Sequence, residues 1–294
     1  MMLTGGGRYN HKEGIYRIAC RFEGHLCASF FVQAGMAGAR AQIPAVASLG
    51  SRRLRIATWN IHSAVGVDGR HDLGRIGSVL CEVRPDVVAL QEVDRGLRRT
   101  AFEDQAAGLA ARLGFGSRFC ATRTASPGDF GIAVLSRFPV VAAHEYDLTY
   151  GERREPRSCL RVDLAPTGDT RLHVFNCHFG LATLERRYQR RRMLSDAILL
   201  SEELHDPVVL MGDFNDRPVS VVHSSLRQHF TDAYRATGKR RGATFGFGPL
   251  RLRLDHIYVS RQMRIIDCAV CRTQTARIAS DHRPLVAEVE ISPA

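Results

Sequence analysis

Short apolar runs that stop abruptly at a polar residue restrict the fold of this sequence more than any other feature. Residues 87–90 and 208–211 are continuous apolar runs of the kind that form strands buried on both faces. Six such strand ends carry acidic, amide or histidine side chains: Asn60; Gln91 and Glu92; Asn176 and His178; Asp213 and Asn215; Asp255; Asp281 and His282. Polar groups at the ends of buried strands predict a site built along one rim of the sheets.

The apolar periodicity also predicts the order of elements. We expect strands at residues 54–59, 87–90, 115–121, 132–136, 140–147, 158–164, 172–177, 208–211, 254–259 and 285–291, and helices at residues 72–83, 102–113 and 184–204. Asp72 is suited to capping the first helix. Helix–strand units at both ends surround a strand-rich middle, which favours helices packed outside two stacked sheets in one domain.

The first fifty residues differ from the rest. Residues 1–52 show no sustained period, so we expect a poorly ordered N-terminal extension followed by a single domain over residues 53–294. Residues 26–39 are weakly apolar and precede a sequence that imitates a signal-peptide cleavage site. The acidic Glu13 and Glu23 count against export, so we expect a cytoplasmic protein, with export as the less favoured alternative. No apolar run reaches the roughly 18 residues that a transmembrane helix needs.

The charge of the chain is strongly basic. The formal net charge of +11 on 294 residues comes almost wholly from arginine, because Lys12 and Lys239 are the only lysines. Such an excess attracts phosphate, and a nucleic acid, a phospholipid headgroup and a small phosphoester all fit it. Solvated arginines with no single partner explain the number equally well, and we favour that interpretation for the five arginines in the first half of the predicted helix at 184–204.

The acids at the strand ends point to a metal. Carboxylates gathered in one pocket repel one another, so they need a cation between them. Oxygen ligands without a set of cysteines or three histidines favour Mg²⁺, with Mn²⁺ as the second candidate, over zinc. Because Mg²⁺ leaves coordination positions for water and substrate phosphate, this pattern predicts hydrolysis of a phosphoester.

Five short motifs occur in a fixed order along the chain. They are TWNIH at 58–62, LQEV at 90–93, GDFN at 212–215, LDHI at 254–257 and SDHRP at 280–284. In this order they resemble the endonuclease/exonuclease/phosphatase superfamily, from Arg55 to about Ile291. The resemblance implies a four-layer α/β/β/α sandwich with two packed, mostly antiparallel β-sheets flanked by helices. The segment after Asn60 looks more like a bacterial branch of small metal-dependent hydrolases than like the repair endonucleases.

The resemblance also implies roles for individual residues. Asn60 and Glu92 match the metal-binding pair, with Glu92 as the principal ligand, and Asp281 looks like a further carboxylate on the metal side. Asp213 matches the aspartate that orients or deprotonates the attacking water, and Asn215 the amide that holds the same group of atoms.

The histidines of the motifs face the phosphate in this family. His282 resembles the imidazole beside the scissile phosphate, Asp255 the carboxylate that orients it, and His178 the donor to a phosphate oxygen. Two residues have weaker claims to substrate binding. His62 either faces substrate or lies on the surface, and Arg157 either holds a phosphate or lies on a solvated sheet face.

These residues predict a Mg²⁺-dependent phosphodiesterase or phosphatase that uses metal-assisted, in-line attack of water. We place a lipid-type or small phosphoester ahead of DNA as substrate. The main alternative is a metal-dependent nuclease, for which the basic charge argues, and an alternative of another class is an inactive phosphate-binding module. The expected partners are the phosphoester substrate, with nucleic acid or peripheral contact with an anionic membrane as further candidates, and we expect a monomer.

Overall fold

The computed structural model describes residues 7–10, 15–22, 25–33, 52–166, 171–205, 207–239 and 242–291. The chain divides into two compact units, Met1–Leu49 and Gly50–Ala294. The described strands of the first unit, β1 (Gly7–Asn10), β2 (Ile15–Phe22) and β3 (His25–Gln33), form an antiparallel sheet in that order. The domain boundary near residue 52 and the poor order of the leading segment stay predictions.

The second unit alternates strands and helices. Its strands are β4 (Arg52–Asn60), β5 (Val87–Arg95), β6 (Gly116–Ala125), β7 (Gly128–Ser136), β8 (Val140–Asp147), β9 (Ser158–Leu164), β10 (Leu172–His178), β11 (Val208–Asp213), β12 (Thr231–Asp232), β13 (Phe245–Phe247), β14 (Leu250–Leu252), β15 (Asp255–Val259), β16 (Met263–Val270) and β17 (Leu285–Ile291). Its α-helices are α1 (Leu73–Val83), α2 (Gln105–Leu113), α3 (Thr183–Met193), α4 (Val221–His229), α5 (Ala233–Ala236) and α6 (Gln274–Ala279).

Two six-stranded mixed sheets form the centre of the described part of this unit. The first has the strand order β16-β17-β4-β5-β7-β6, and the second has the order β12-β15-β11-β10-β9-β8. The β4–β5 and β10–β11 pairs are parallel, and the other pairs are antiparallel. The predicted mostly antiparallel pair of sheets is therefore confirmed.

Three apolar clusters produce the layers. One lies between the sheets and includes Ile56 of β4 and Val174 of β10. A second packs α1, α2 and α6 on the outer face of the first sheet, and a third packs α3 and α4 on the outer face of the second. Helix, sheet, sheet and helix thus form four layers, as the family resemblance implied. No helix of the described residues is long and apolar enough to cross a membrane.

The helix boundaries show what local sequence could and could not predict. The Asp72 side chain accepts from the Arg75 amide and caps α1 as expected. The helix expected at 184–204 is wrong in its second half, because α3 ends at Met193 and the backbone at Leu194 leaves the helical region. Ser195 Oγ donates to the Arg192 carbonyl 2.8 Å away, so turns rather than a helix bring Ile198 into the core.

Candidate active site

The carboxyl ends of the central strands of both sheets meet at one rim. Asn60 ends β4, and His178 and Asp213 end the parallel strands β10 and β11, where they are paired in register. Asp213 is in turn paired with Asp255, the first residue of β15. The strand-end rim predicted from the sequence is therefore present, and both sheets contribute to it.

Asn60 links two of the predicted acids. Its Nδ2 donates to Glu92 Oε1 at 2.8 Å and to Asp213 Oδ2 at 3.0 Å, and its Oδ1 accepts from the backbone amide of His62 at 3.0 Å. Asn60 and Asp213 are both buried, whereas a quarter of the Glu92 side chain is exposed. One buried amide thus fixes a carboxylate from each sheet.

Special backbone geometry places these acids. Glu92 has φ = 54° and lies where the register between β5 and β7 shifts, so its side chain leaves the regular alternation of the strand. Gly212 has φ = 152°, and a Cβ there would lie 1.9 Å from the carbonyl oxygen of Cys177. Only glycine therefore lets β11 approach β10 at the residue before Asp213.

A buried aspartate holds His282. The Nδ1 of His282 donates to Asp255 Oδ2 at 2.8 Å, and its Nε2 lies 3.6 Å from Asp213 Oδ2. Burial by itself lowers the pKa of His282, but the nearby Asp255 and Asp213 carboxylates outweigh it and raise that pKa to about 10. His282 is therefore an imidazolium between two carboxylates.

The surroundings of His178 shift its pKa in the direction opposite to that of His282. Burial, followed by the charges of Arg157 and His282, lowers its pKa well below the ordinary value, so this ring is neutral. Its Nε2 lies 3.7 Å from Asp213 Oδ2 and 4.0 Å from Glu92 Oε1. Burial also raises the pKa of Asp213 to about 7, and the Asp255 charge adds to this rise while His282 opposes it.

Asn215 joins the same group through a tight turn. Its backbone amide donates to Asp213 Oδ1 at 2.8 Å, and it adopts φ = 48°, a conformation that asparagine tolerates. Its Nδ2 donates to the Phe179 carbonyl at 2.9 Å and lies 3.2 Å from His178 Nε2. Asn215 therefore holds Asp213 with its backbone amide and places its side-chain amide beside His178.

Asp281 and His62 lie at the edge of the rim. Ser280 Oγ donates to the backbone carbonyl of Asn60 at 2.9 Å and lies 3.3 Å from Asp281 Oδ1, which ties this loop to the end of β4. His62 is about half exposed, with Nδ1 3.1 Å from the Val65 carbonyl and 4.0 Å from Asp281 Oδ1. The exposed fraction of the side chain is 47% for His62 and 31% for Asp281, against 25% for Glu92.

Arg157 is buried, so the solvated-face alternative does not hold. Only 5% of its side chain is exposed, and within the described parts of the chain its one ion pair is with Glu155 at 2.8 Å. Its Nε has no hydrogen-bond partner among the described residues, and its charge acts on His178. Period-two alternation correctly put Arg157, Cys159 and Arg161 on one face, but other parts of the fold cover that face.

Two further groups support the site. Gln91 Nε2 donates to Asn176 Oδ1 at 2.7 Å, which joins β5 to β10 across the two sheets. Thr244 Oγ1 accepts from the Asp255 amide at 3.1 Å, and the Phe245 ring lies 5.0 Å from that of His282. Gln91 and Asn176 were expected at the rim without individual roles, whereas the segment holding Thr244 was not expected there because it carries no local signal.

The donor set suits a hard cation. Among the described residues, Asp213, Asp255 and His282 place one potential ligand atom each within 4.8 Å of one another. Within this trio, the positive charge of the protonated His282 already balances part of the negative charge of the two aspartates. Glu92 and Asp281 are more exposed and bring further carboxylate oxygens to the rim, and Asp255 Oδ1 is buried with no hydrogen-bond partner among the described residues. Oxygen donors of this kind fit Mg²⁺ or Mn²⁺.

The comparison with protein families decides the family of this chain. Residues 57–282 match the model of the endonuclease/exonuclease/phosphatase family. The chain belongs to this family. Members of the endonuclease/exonuclease/phosphatase family are phosphoester hydrolases that typically depend on a divalent metal. No curated protein matches the chain significantly.

Solved structures agree with this membership. An endonuclease/exonuclease/phosphatase from Beutenbergia cavernae DSM 12333 is 25% identical, with a TM-score of 0.67 over 83% of this chain and 72% of that one. ANGEL2, a 2',3'-cyclic phosphatase, is 14% identical, with a TM-score of 0.67 over 84% of this chain and 97% of its own. The mannosyl-6-phosphatase Bt3783 of Bacteroides thetaiotaomicron is 20% identical, with a TM-score of 0.63 over 80% and 99%. The last two show the fold alone.

Proposed function

We propose that this protein is a Mg²⁺-dependent phosphodiesterase or phosphatase. The observation that carries the proposal is the buried Asn60 amide, which fixes Glu92 and Asp213 beside two histidines of opposite charge state. Acids that hold a cation and imidazoles that hold a phosphate are the two groups that phosphoester hydrolysis needs at one place. The activity of the family supports the same reaction.

Glu92 is the principal metal ligand in this proposal, with Asp281 as the second carboxylate on the metal side. Asn60 belongs to the metal-binding group because its Nδ2 donates to Glu92 and holds that carboxylate in place, while its Oδ1 accepts from the backbone amide of His62. When bound, the divalent cation neutralises charge on the phosphate oxygens. Mg²⁺ is proposed because the donors are oxygens, and Mn²⁺ is expected to replace it.

The remaining residues act on water and phosphate. Asp213 accepts a hydrogen bond from the attacking water and orients it, and Asn215 keeps Asp213 in place through its amide. His282, held by Asp255, donates from Nε2 to a phosphate oxygen. His178 presents Nε2 to the same centre, and the buried Arg157 adds positive charge behind it.

The substrate is proposed as a lipid-type or small phosphoester. Structural neighbours named as a 2',3'-cyclic phosphatase and a mannosyl-6-phosphatase support phosphoester hydrolysis for a site of the same fold, and the choice of a small or lipid-type ester rests on the segment after Asn60. A metal-dependent DNA endonuclease or exonuclease is the second candidate, favoured by the net charge of +11. The cytoplasmic location and the monomeric state expected from the sequence stay predictions.

The test is turnover of bis(4-nitrophenyl) phosphate with Mg²⁺ by the variants Glu92→Gln and Asp213→Asn. We expect each to lower kcat by about a thousandfold or more, with the thermal unfolding midpoint close to wild type. Glu288→Gln is the matched control, because Glu288 is a partly exposed glutamate that hydrogen bonds to Arg55 away from the rim. Retained activity in the Glu92 variant would refute the metal assignment, and equal loss in the control would refute the location of the site.

A further inference from the structure

A strongly basic groove lies on the surface of the second unit. It has a volume of about 1140 Å³, and eight of its fifteen lining residues are arginine or lysine. All of its lining residues belong to the described chain, and none of them is acidic. This groove, which we call the basic groove, concentrates much of the arginine excess noted in the sequence.

Most of the charge in the basic groove is not balanced. Lys239 pairs with Asp267, and Arg253 pairs with Asp232. The side chains of Arg217, Arg235 and Arg277 have no carboxylate partner among the described residues. The positive charges of these arginines repel one another. This repulsion destabilises the folded protein unless an anion binds between the guanidinium groups.

Arg251 and Arg283 add two further cations to the same groove. Like charges gathered in one groove repel one another, and an anionic ligand would relieve that repulsion.

Two lining residues of the basic groove are close neighbours of catalytic residues in the chain. Arg283 directly follows His282, and Arg217 lies two residues after Asn215. The Arg283 amide donates to the Thr244 carbonyl at 2.7 Å, which holds it against the same segment that contacts the His282 ring through Phe245. The groove and the site therefore share two stretches of backbone.

Four exposed aliphatic side chains lie on the two segments that follow His178 and Asn215. Leu181 and Val219 lie in the connecting loops, with exposed fractions of 72% and 83%, and Leu184 and Val221 lie in the first turns of α3 and α4, with exposed fractions of 61% and 54%. We call these four residues the aliphatic patch. Exposed apolar residues are common singly, but here they cluster on two segments that each follow a catalytic residue.

Contacts of one arginine bring the two loops together. Arg186 donates to the Leu181 carbonyl and pairs with Asp216 at 3.4 Å, so it bridges the loop before α3 and the loop before α4. Val219 also lines the basic groove, which makes the aliphatic patch continuous with it. Leu184 shares its helix face with the exposed Arg187 and Arg191, at spacings of three and seven residues.

We propose that the basic groove and the aliphatic patch together bind the surface of an anionic phospholipid membrane, from which the substrate phosphate enters the site. Arginines attract the lipid phosphates, and the aliphatic side chains insert between the lipids. A nucleic acid fits less well, because it offers no hydrocarbon to the patch. The groove also lacks an exposed aromatic for base stacking, since Tyr234, its one aromatic lining residue among those described, is 95% buried.

The identity of the substrate in this proposal rests on the proposed function, but membrane binding can be measured without turnover. The full chain is sedimented in EDTA with vesicles of phosphatidylcholine alone or with about 30% phosphatidylglycerol. We expect binding to the anionic vesicles only, with strong weakening in about 0.5 M salt. Soluble glycerol phosphate is added in a separate arm. If a low concentration of it displaces the protein from the vesicles, a free headgroup is sufficient for binding and the membrane proposal is overturned.

Variants separate the two parts of the surface. Arg235→Gln with Arg277→Gln should weaken vesicle binding about fivefold for each cation removed. Leu181→Ser with Val219→Ser should weaken it at least about tenfold. Val141→Ser is the control for the aliphatic change, because Val141 is 48% exposed on β8, outside the patch. Unfolding midpoints within the error of wild type establish that the variants are folded.

Several results would overturn the proposal. One is equal binding to both vesicle types, and another is loss of binding in the Val141 control. Displacement from vesicles by a single-stranded oligonucleotide, with no effect of the aliphatic variants on oligonucleotide binding, would identify the groove as a nucleic-acid site. Sedimentation of the protein alone as a dimer that the aliphatic variants dissociate would assign the patch to a second copy of the chain. Binding to anionic vesicles without turnover of any phosphodiester or phosphomonoester would instead support the membrane surface and refute the proposed function.

Discussion

Asp255→Asn tests whether a buried carboxylate controls the histidine proposed to contact phosphate. Asp255 is fully buried, and its Oδ2 accepts from His282 Nδ1 at 2.8 Å. The substitution keeps the size of the side chain but removes the charge that holds the imidazolium in one orientation. We therefore expect a folded protein with impaired turnover.

The expected loss follows from this contact. A hydrogen bond to a charged group contributes about 1.5–3 kcal/mol, and each 1.36 kcal/mol of barrier changes the rate about tenfold. If the contact acts fully in the transition state, kcat falls by about 10- to 150-fold. KM for a generic diester should change much less, because His282 is still present to contact the phosphate.

The chain provides a matched control for this variant. Asp163 accepts from His173 Nδ1 at 2.7 Å, and both side chains are about as buried as the Asp255–His282 pair, but they lie away from the rim, on β9 and β10. Asp163→Asn should leave kcat unchanged and lower the unfolding midpoint by several degrees, at about 2–4 °C per kcal/mol.

The assay is turnover of bis(4-nitrophenyl) phosphate at saturating Mg²⁺, combined with thermal unfolding of both variants. If Asp255→Asn keeps kcat within about twofold of wild type, the orienting role is refuted. If Asp163→Asn loses as much kcat as Asp255→Asn, the loss reflects general damage to the fold and the argument from the site also fails.

Three further predictions use the same protein. Burial opposes ionisation of Asp163, but hydrogen bonds from His173 and Arg161 outweigh burial and lower the pKa of Asp163. The stability that the ionised carboxylate provides is present above the ordinary pKa of about 3.9 and is lost as pH falls through the lowered pKa. The unfolding free energy of the wild type should therefore fall more steeply below about pH 4 than that of Asp163→Asn. Arg157→Met should lower kcat/KM about tenfold or more by removing a buried charge beside His178, whereas the same change at the exposed Arg154 should have no effect. EDTA should abolish turnover, and added Mg²⁺ or Mn²⁺ should restore it; activity that survives complete removal of metal would contradict the metal-assisted reaction.

Most elements of the main unit could be predicted from local sequence. Strands β8, β9 and β17 have the expected bounds, because apolar alternation and flanking turn residues act over a few positions. Helices α4, α5 and α6 were not predicted, since their short amphipathic segments lie among arginines that mask the apolar period. The helix at α3 was predicted too long because a serine side chain ends it, and such competition leaves no mark on hydrophobic periodicity.

The sequence by itself determined which chemical groups follow the apolar runs of the buried strands, because charged and amide side chains interrupt an apolar run in a way that is visible in a few adjacent residues. Only the tertiary structure decided how those groups meet. The left-handed backbone at Glu92 turns its carboxylate toward Asn60, and the covering of the sheet face buries Arg157. The basic groove likewise combines arginines spread from residue 217 to 283, whose charges add only after the chain folds. Electrostatic interaction depends on distance in space, and local sequence patterns record only distance along the chain.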